Sequence, residues 1–188
     1  MRLYVIRHGE SENNLKKCWT GWYDAPLTEK GRQDARKAGV FLQGITFDKI
    51  YTSDLSRAAE TACIAVPGCT CETSPLLREI NVGTLENTLI AALPEEKLAQ
   101  LSEQGYGEFG GETKEELNER AHRFLRQLEG ESFGTVAAFA HGGFLRSTLD
   151  AVLGVAMQRG KVCCDNCAIA VYECTDGRWR LHSWINLT

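Results

Sequence analysis

The segment from Val136 to Ala140 is apolar at every position. A strand that is apolar on both faces is typical of the centre of a parallel sheet, where helices cover both sides. This strand ends in His141-Gly142-Gly143, and a short apolar strand at the start of the chain ends in Arg7-His8-Gly9. Ligands of open α/β sheets bind at the carboxyl ends of strands. We therefore expect the two histidines to share one pocket if their strands are near neighbours.

Strand-like and helix-like segments alternate along the whole chain. One predicted helix is capped by Thr28 and runs to about residue 43, and the next has the cap candidates Ser53 and Asp54 and runs to residue 65. A third begins with a capping box of Thr113 with Glu116, and a fourth spans residues 144 to 153. Further strands are predicted at 48–52, 70–73, 168–173 and 179–185, the last two joined by Asp176-Gly177. This order predicts an α/β three-layer sandwich. Its central sheet is mostly parallel, with helices on both faces and an antiparallel hairpin at the carboxyl-terminal edge.

The length of 188 residues and the 43% hydrophobic content fit a single globular domain over residues 1–188. The net charge of −4 includes no basic block, so we expect no nucleic-acid partner and no anionic membrane partner. No apolar run approaches the roughly 20 residues of a membrane span, and no signal peptide precedes the first strand. We expect a cytoplasmic protein, either a monomer or a homodimer.

The eight cysteines are expected to be reduced thiols, because the core is large enough to be stable without disulfides. Cys163, Cys164 and Cys167 have zinc-knuckle or redox spacing, and Cys69 and Cys71 could complete a four-ligand site. The favoured alternative is that they form no such site, because Cys167 opens an apolar run in which its thiol is expected to pack as a small hydrophobe. No metal is predicted.

Arg57 lies one turn into the helix that follows the second strand, where it can reach back over the same sheet edge as His8 and His141. Taken singly, His8 could cap a turn and Arg57 could be a surface residue. Their convergence with Arg7, whose guanidinium matches phosphate oxygens, favours a phosphate site instead. The charged run from Lys114 to Arg126 is interpreted as helix surface, with Glu116 paired to Arg120 four residues on.

These residues resemble the histidine phosphatase superfamily, also called phosphoglycerate-mutase-like, over nearly the whole chain. The resemblance rests on Arg7-His8-Gly9-Glu10-Ser11 with Asn14, on the segment from Gly21 to Gly31, on Thr52 to Ala58, on Leu77-Arg78-Glu79, and on His141-Gly142-Gly143. The resemblance implies that His8 is the residue phosphorylated in the reaction. It implies further that Arg7, Arg57 and His141 hold the transferred phosphoryl group and that Glu79 is the proton donor. Asn14, Thr20, Gly21 and Gly142 would line the phosphate pocket, and no cofactor is expected.

Within this superfamily the chain is similar to the α-ribazole phosphatases and the small broad-specificity phosphatases. A mutase needs a second basic cluster over the pocket, yet the insertion expected to cover it, at about 84–112, contains Lys97 as its only basic residue. We therefore expect an acid-type histidine phosphatase that hydrolyses small phosphorylated metabolites without a metal. The entrance aromatics Trp19, Trp22 and Tyr23 could stack on a sugar or heterocycle. The alternatives are a cofactor-dependent phosphoglycerate mutase and a non-catalytic regulatory or binding member of the superfamily.

Overall fold

The computed structural model describes residues 1–155 and 162–187. The strands are β1 (Arg2–Arg7), β2 (Lys49–Thr52), β3 (Glu72–Thr73), β4 (Thr135–Ala140), β5 (Ile169–Thr175) and β6 (Arg178–Ile185). The α-helices are α1 (Glu12–Lys16), α2 (Glu29–Leu42), α3 (Ser56–Ala65), α4 (Glu95–Gln104), α5 (Lys114–Glu129) and α6 (Gly142–Leu153). In these two ranges, no helix combines the length and the apolar character needed to cross a bilayer.

The six strands form one sheet in the order β3-β2-β4-β1-β5-β6. The pairs β3–β2, β2–β4 and β4–β1 are parallel, whereas β5 pairs antiparallel with both β1 and β6. This confirms the predicted mixed sheet with its antiparallel hairpin at the carboxyl-terminal edge. It also places β1 beside β4 at the centre, so the two strands that end in histidine are direct neighbours.

Helices cover both faces of the sheet, because successive side chains of each central strand point to opposite sides. Leu3 and Val5 of β1 belong to an apolar cluster that includes side chains of α5 and α6. Tyr4 and Ile6 belong to the opposite cluster, with side chains of α2 and α3. Each central strand is buried on both faces, which explains why Val136 to Ala140 carries no polar residue.

The helix caps test the local predictions. Thr28 and Thr113 cap α2 and α5 as predicted, and Glu116 completes the capping box at Thr113. The prediction that Ser53 or Asp54 caps α3 is wrong. The N-cap is Leu55, and no side chain caps this helix. Asp54 instead accepts hydrogen bonds from the guanidinium of Arg78, because the chain continues as a bend before the helix begins.

The sequence does not predict helices α1 and α4. Helix α1 has only five residues, held by a capping box of Ser11 with Asn14. Helix α4 begins after Pro94 without a side-chain cap and buries only Leu101. Leu101 joins a third apolar cluster with Trp19 and Tyr106, apart from the two clusters that flank the sheet. A single buried residue gives α4 too weak an apolar stripe to be predicted.

The amino-terminal end of α2 packs directly against the loop that follows β1. A Cβ atom at Gly31 would overlap the carbonyl oxygen of Glu10, and one at Gly9 would overlap the carbonyl oxygen of Gly31. Both glycines are therefore required by close backbone approach. This contact fixes the turn that presents His8.

Gly31→Ala is expected to lower the free energy of unfolding by about 2 kcal/mol or more, since backbone must move to admit the methyl group. Urea denaturation measures this change. Gly130→Ala is the matched control, because residue 130 has helical backbone angles and open surroundings, so alanine is expected to be neutral or slightly stabilising. Equal stability of the Gly31→Ala variant and the unmodified protein would contradict the packing account.

Candidate active site

The parallel pairing of β1 with β4 brings His8 and His141 together. Arg7 lies opposite Ala140 in the register, and the backbone N–H of His8 donates to the carbonyl of Ala140 at 3.0 Å. The two imidazole centroids are 5.0 Å apart, with the rings in an edge-to-face arrangement. Both side chains are buried. The structure therefore places the two histidines in one site at the carboxyl end of the sheet, as the sequence predicts.

The contacts of His8 define its tautomer and charge. Nδ1 lies 2.6 Å from the carbonyl oxygen of Gly9. A carbonyl can only accept, so the proton is assigned to Nδ1, and Nε2 keeps its lone pair. Burial, followed by the positive charges of Arg57 and Arg7, holds the pKa of His8 well below its usual value. His8 is a neutral imidazole with an unprotonated Nε2, which is the form that can act as a nucleophile.

Arg57 occupies the first turn of α3 and is fully buried. Its Nη1 donates to the carbonyl of Tyr23 at 2.9 Å, and its Nη2 donates to the carbonyl of Gly21 at 2.8 Å. Burial lowers the pKa of Arg57 to about 10, so the guanidinium stays charged at neutral pH. These carbonyls fix the guanidinium in place without neutralising it.

Arg7 is held in a similar way by the segment that contains the last cysteines. Its Nη1 donates to the carbonyl of Cys164. The same segment supports the backbone of His8, because the Cys167 N–H and the side-chain amide of Asn166 both donate to the His8 carbonyl at 3.2 Å. This cysteine-containing loop is thus part of the framework of the site.

Asn14 has its amide orientation fixed by two donors. Its Oδ1 accepts from the Ser11 N–H at 3.1 Å and from the Asn166 amide at 3.2 Å. The Nδ2 group of Asn14 therefore remains as a donor at the cavity that Asn14 lines. Asn166 lies within the cysteine motif, and the sequence predicts no separate role for it.

Four buried nitrogens of this site have no hydrogen-bond partner in residues 1–155 and 162–187. They are Nε of Arg7, Nε of Arg57, and both ring nitrogens of His141. Burial, together with the nearby Arg57, keeps the pKa of His141 well below its ordinary value, so one of its ring nitrogens carries a proton to donate. A buried polar atom without a partner is unfavourable by about 1–3 kcal/mol, so a cluster of them calls for a functional explanation. An oxyanion with several acceptor oxygens fits this donor set.

The carboxylate of Glu79 lies against the amino-terminal end of α6. Its carboxylate accepts from the Gly143 N–H at 3.0 and 3.2 Å, and Oε1 accepts from the Ile80 N–H at 2.9 Å. A Cβ atom at residue 143 would overlap the carboxylate. The glycine at 143 therefore makes room for Glu79.

Several of these residues line a cavity of about 190 Å³. Its lining includes the predicted residues Arg7, Asn14, Thr20, Gly21, Glu79 and Gly142. Residues from the segment at 84–112 also line it, namely Ile90, Leu101, Ser102, Gly105 and Tyr106. His8, Arg57 and His141 are buried and are not among its lining residues. A cavity of this size holds a small metabolite.

The basic residues near the pocket entrance do not come from the segment at 84–112, where the sequence analysis expected any such cluster to lie. Lys97 pairs with Glu108 and is not part of the cavity lining. Two other cations line the cavity, Lys114 from α5 and Arg146 from α6. The sequence did not predict these two residues as part of the cavity. Each lies in a helix with many charged or apolar neighbours, and no local motif marks a residue that faces a pocket.

The predicted pair of Glu116 with Arg120 is also wrong. Glu116 is used in the capping box, and Arg120 pairs with Glu112. The signal that could have corrected this is spacing, because position 120 is three residues after Leu117 and four before Phe124, both of which are buried. Arg120 therefore lies beside the buried stripe of α5, and the interpretation of the charged run as solvent-exposed surface does not hold for it.

The entrance aromatics contribute unequally to the site. Trp19 lines the cavity and packs edge-to-face on Tyr106, with ring centroids 5.3 Å apart. The ring of Trp22 lies against the guanidinium of Arg78, and its Nε1 donates to the carbonyl of Glu79 at 2.8 Å. Tyr23 is 44% exposed. Of these three residues, only Trp19 is placed to contact a ligand in the cavity.

Cys167 packs as the sequence predicts, whereas Cys163 of the same motif is exposed. Cys167 is fully buried in the cluster that contains Ile169 and Val171. The sulfurs of Cys69 and Cys71 are 3.3 Å apart, in contact with the same cluster. A search of the described ranges finds no group of three or more histidine, cysteine, aspartate or glutamate residues arranged to hold a metal.

The family model described as histidine phosphatase superfamily (branch 1) matches residues 3–187. The chain belongs to this superfamily. Membership confirms the resemblance seen in the sequence motifs and indicates an enzyme of the phosphatase or mutase type.

Individual members of the superfamily differ in their names. The "Probable phosphoglycerate mutase GpmB" of Salmonella paratyphi A is 30% identical over 194 residues, covering 98% of this chain and 90% of that protein. The structure of a mycobacterial glucosyl-3-phosphoglycerate phosphatase with VO3 is 26% identical, covers 97% of this chain and 98% of its own, and has a TM-score of 0.86. An Entamoeba histolytica phosphoserine phosphatase in complex with phosphoserine is 24% identical, with coverage of 99% and 97% and a TM-score of 0.87. The last comparison concerns the fold alone.

The two buried histidines generate a prediction about stability and pH. In the unfolded chain each titrates near pH 6.5, whereas both folded pKa values are lowered. Below about pH 6.5 the unfolded state thus binds more protons, and the free energy of unfolding decreases as the pH falls toward the folded pKa values. Each histidine contributes up to about 1.4 kcal/mol per pH unit.

Urea denaturation at about pH 6 and pH 5 measures this dependence, above the range in which most carboxylates titrate. His141→Gln is expected to remove about half of the histidine contribution to the slope. The exposed His122 supplies the control, because His122→Gln is expected to leave the slope unchanged. A slope in His141→Gln equal to that of the unmodified protein would show that His141 is not held neutral.

Proposed function

We propose that this protein is a metal-independent phosphomonoester hydrolase that acts through a phosphohistidine intermediate on His8. The observation that carries the proposal is the convergence of buried, unpartnered nitrogens of Arg7, Arg57 and His141 around a neutral His8. Such a donor set suits the three peripheral oxygens of a phosphoryl group in transfer. The positive charges of the arginines supply the electrostatic stabilisation, so the proposed reaction requires no metal.

In the first step, Nε2 of His8 attacks phosphorus, the N–P bond forms, and the bond from phosphorus to the ester oxygen breaks. Glu79, protonated at this stage, gives its proton to the departing oxygen, and an alcohol leaves. In the second step the Glu79 carboxylate takes a proton from water, whose oxygen attacks phosphorus. The N–P bond then breaks, inorganic phosphate is released, and neutral His8 is restored. Two easier displacements replace one difficult one.

The same arrangement supports an acid-type phosphatase. The lowered pKa of His8 keeps its lone pair available in mildly acidic solution, where a histidine of ordinary pKa would be protonated. Neutral His141 acts as a hydrogen-bond donor to the phosphoryl oxygens. Asn14, Thr20, Gly21 and Gly142 complete the proposed phosphate pocket, whose lining they share.

The proposed substrates are small phosphorylated metabolites, since the cavity is about 190 Å³. In this proposal the segment at 84–112 is a short insertion that covers the pocket of a single-domain enzyme. The cytoplasmic location, the monomeric or homodimeric state, and the absence of nucleic-acid and membrane partners remain predictions from the sequence.

A phosphoglycerate mutase is the second candidate. One observation favours it, namely that Lys114 and Arg146 line the cavity and could face a second acidic group. The name of the Salmonella relative points the same way. The hydrolase remains our first proposal because Lys114 is already paired with Asp150 at 3.3 Å, which reduces its pull on a second anion. A purely regulatory or binding role is disfavoured, because every proposed catalytic position carries a reactive side chain.

Release of inorganic phosphate tests this proposal. p-Nitrophenyl phosphate and a panel of phosphosugars, phosphoacids and α-ribazole phosphate are offered with EDTA present throughout. We expect hydrolysis that survives EDTA and that His8→Ala lowers by more than about 10³-fold, since removal of a nucleophile abolishes the covalent route. His122→Ala, which changes an exposed histidine, should retain full activity.

Two other results would overturn the hydrolase proposal. Interconversion of phosphoglycerates that depends on 2,3-bisphosphoglycerate, without net phosphate release, would identify a mutase. If the unmodified protein is folded and shows no activity in either assay, a binding role is indicated.

A further inference from the structure

Glu79 lies in a loop with no regular secondary structure. The loop spans residues 78–82, between the 3-10 turns Pro75–Leu77 and Gly83–Leu85. A general acid must lie within hydrogen-bonding reach of the oxygen that it protonates, and a displacement of about 1 Å can lower the rate by about 10²-fold. An irregular loop has no internal hydrogen-bond ladder to supply that accuracy. The positioning of Glu79 must therefore come from contacts outside the loop.

Arg120 of α5 supplies three of these contacts. Its Nη1 donates to the carbonyls of Leu76 and Arg78, both at 2.8 Å, and its Nη2 donates to the carbonyl of Glu79 at 3.0 Å. The side chain is only 13% exposed. One guanidinium thus holds three carbonyls of the chain that leads into Glu79.

Glu112 holds the guanidinium from the other side. Its carboxylate accepts from Nε of Arg120 at 2.7 Å and from Nη2 at 2.8 Å, in the bidentate geometry of a strong pair. Glu112 also grips the far end of the loop, because its Oε2 accepts from the Asn81 N–H at 2.8 Å and its own N–H donates to the Asn81 carbonyl at 2.9 Å. The pair of Arg120 and Glu112 therefore spans the loop from residue 76 to residue 81.

The pair of Arg120 and Glu112 connects the Glu79 loop to the packed core of the protein. Helix α5 is anchored by Leu117 and Phe124, which are buried against the central sheet on either side of position 120. At the other end, the Glu79 carboxylate is held by α6 through the Gly143 N–H. The backbone of Glu79 is thus held by α5, and its side chain is held by α6.

We propose that Arg120, oriented by Glu112, is a positioning residue for Glu79 in the reaction. This inference rests on the proposed role of Glu79 as the proton donor. Arg120 is not part of the cavity lining, so its hydrogen bonds reach the reaction through the loop. Its removal is expected to impair proton donation to the leaving group more than the attack by His8.

The leaving group separates these two effects. p-Nitrophenolate is a weak base and departs without a proton, whereas the alkoxide of glycerol 2-phosphate needs one. Loss of the acid therefore lowers hydrolysis of the alkyl ester far more than that of the aryl ester. The measured quantity is the ratio of kcat/KM for glycerol 2-phosphate to kcat/KM for p-nitrophenyl phosphate. Glu79→Gln defines the full effect, for which general acid catalysis gives a range of about 10²–10⁴-fold.

Arg120→Met is expected to lower this ratio by at least about tenfold. For comparison, the smallest loss expected for Glu79→Gln is about 10²-fold. Arg120→Lys, which keeps the charge and part of the hydrogen bonding, should recover part of the ratio. Glu112→Gln, which keeps the volume but weakens the hold on Arg120, should lower the ratio in the same direction. Arg126→Met is the matched control on the same helix, because Arg126 makes an exposed pair with Glu119 and should leave the ratio unchanged.

The outcomes separate the inference from the proposed function. If Arg120→Met fails to fold, as judged by urea denaturation, Arg120→Lys and Glu112→Gln carry the test. Equal losses on both esters in the folded variants would show that the pair is merely structural and would overturn the inference. A ratio unchanged in Glu79→Gln would refute the acid role, and the inference would fall with it. Failure of the unmodified protein to hydrolyse either ester would refute the proposed hydrolase itself.

Discussion

The site depends on two arginines, Arg57 fully buried and Arg7 half-buried, placed beside a buried neutral imidazole. Burial of a guanidinium is unfavourable unless its donors are satisfied. Here two donors of Arg57 are met by the carbonyls of Gly21 and Tyr23, and one donor of Arg7 by the carbonyl of Cys164. Carbonyls hold a cation without cancelling its charge. Burial lowers the pKa of His8, the positive charges of Arg57 and Arg7 lower it further, and both arginines keep an Nε donor without a partner among the described residues.

Arg120 shows the opposite use of the same side chain. It too holds backbone carbonyls, but its charge is balanced by a bidentate carboxylate from Glu112. An arginine paired with a carboxylate organises a loop, whereas Arg7 and Arg57 are held by backbone carbonyls and keep their positive charge. This difference in partners distinguishes the cations that are proposed to bind phosphate from the cation that is proposed to position the acid. Burial alone does not separate them.

The sequence was sufficient for the central sheet and the two histidines, because a strand covered on both faces must be apolar and the residue after it must lie at the sheet edge. It was insufficient for Arg120, since the contacts of that residue are with a loop that has no periodicity and whose docking on α5 is a tertiary property. Lys114 and Arg146 were missed for a related reason, because facing a cavity leaves no local pattern. Asn166 was hidden inside a cysteine motif whose spacing suggested metal chemistry, while its structural use is to orient Asn14 and support His8.

The central claim is that a neutral His8 takes up the phosphoryl group, and trapping that intermediate tests it most directly. The protein would be mixed with p-nitrophenyl phosphate, quenched in base within the first turnovers, and analysed by intact mass and peptide mapping. We expect one added phosphoryl group, located on His8, stable in base, labile in acid, and absent from His8→Ala. Rapid turnover with no phosphorylated protein, or a phosphoryl group on another residue, would contradict it.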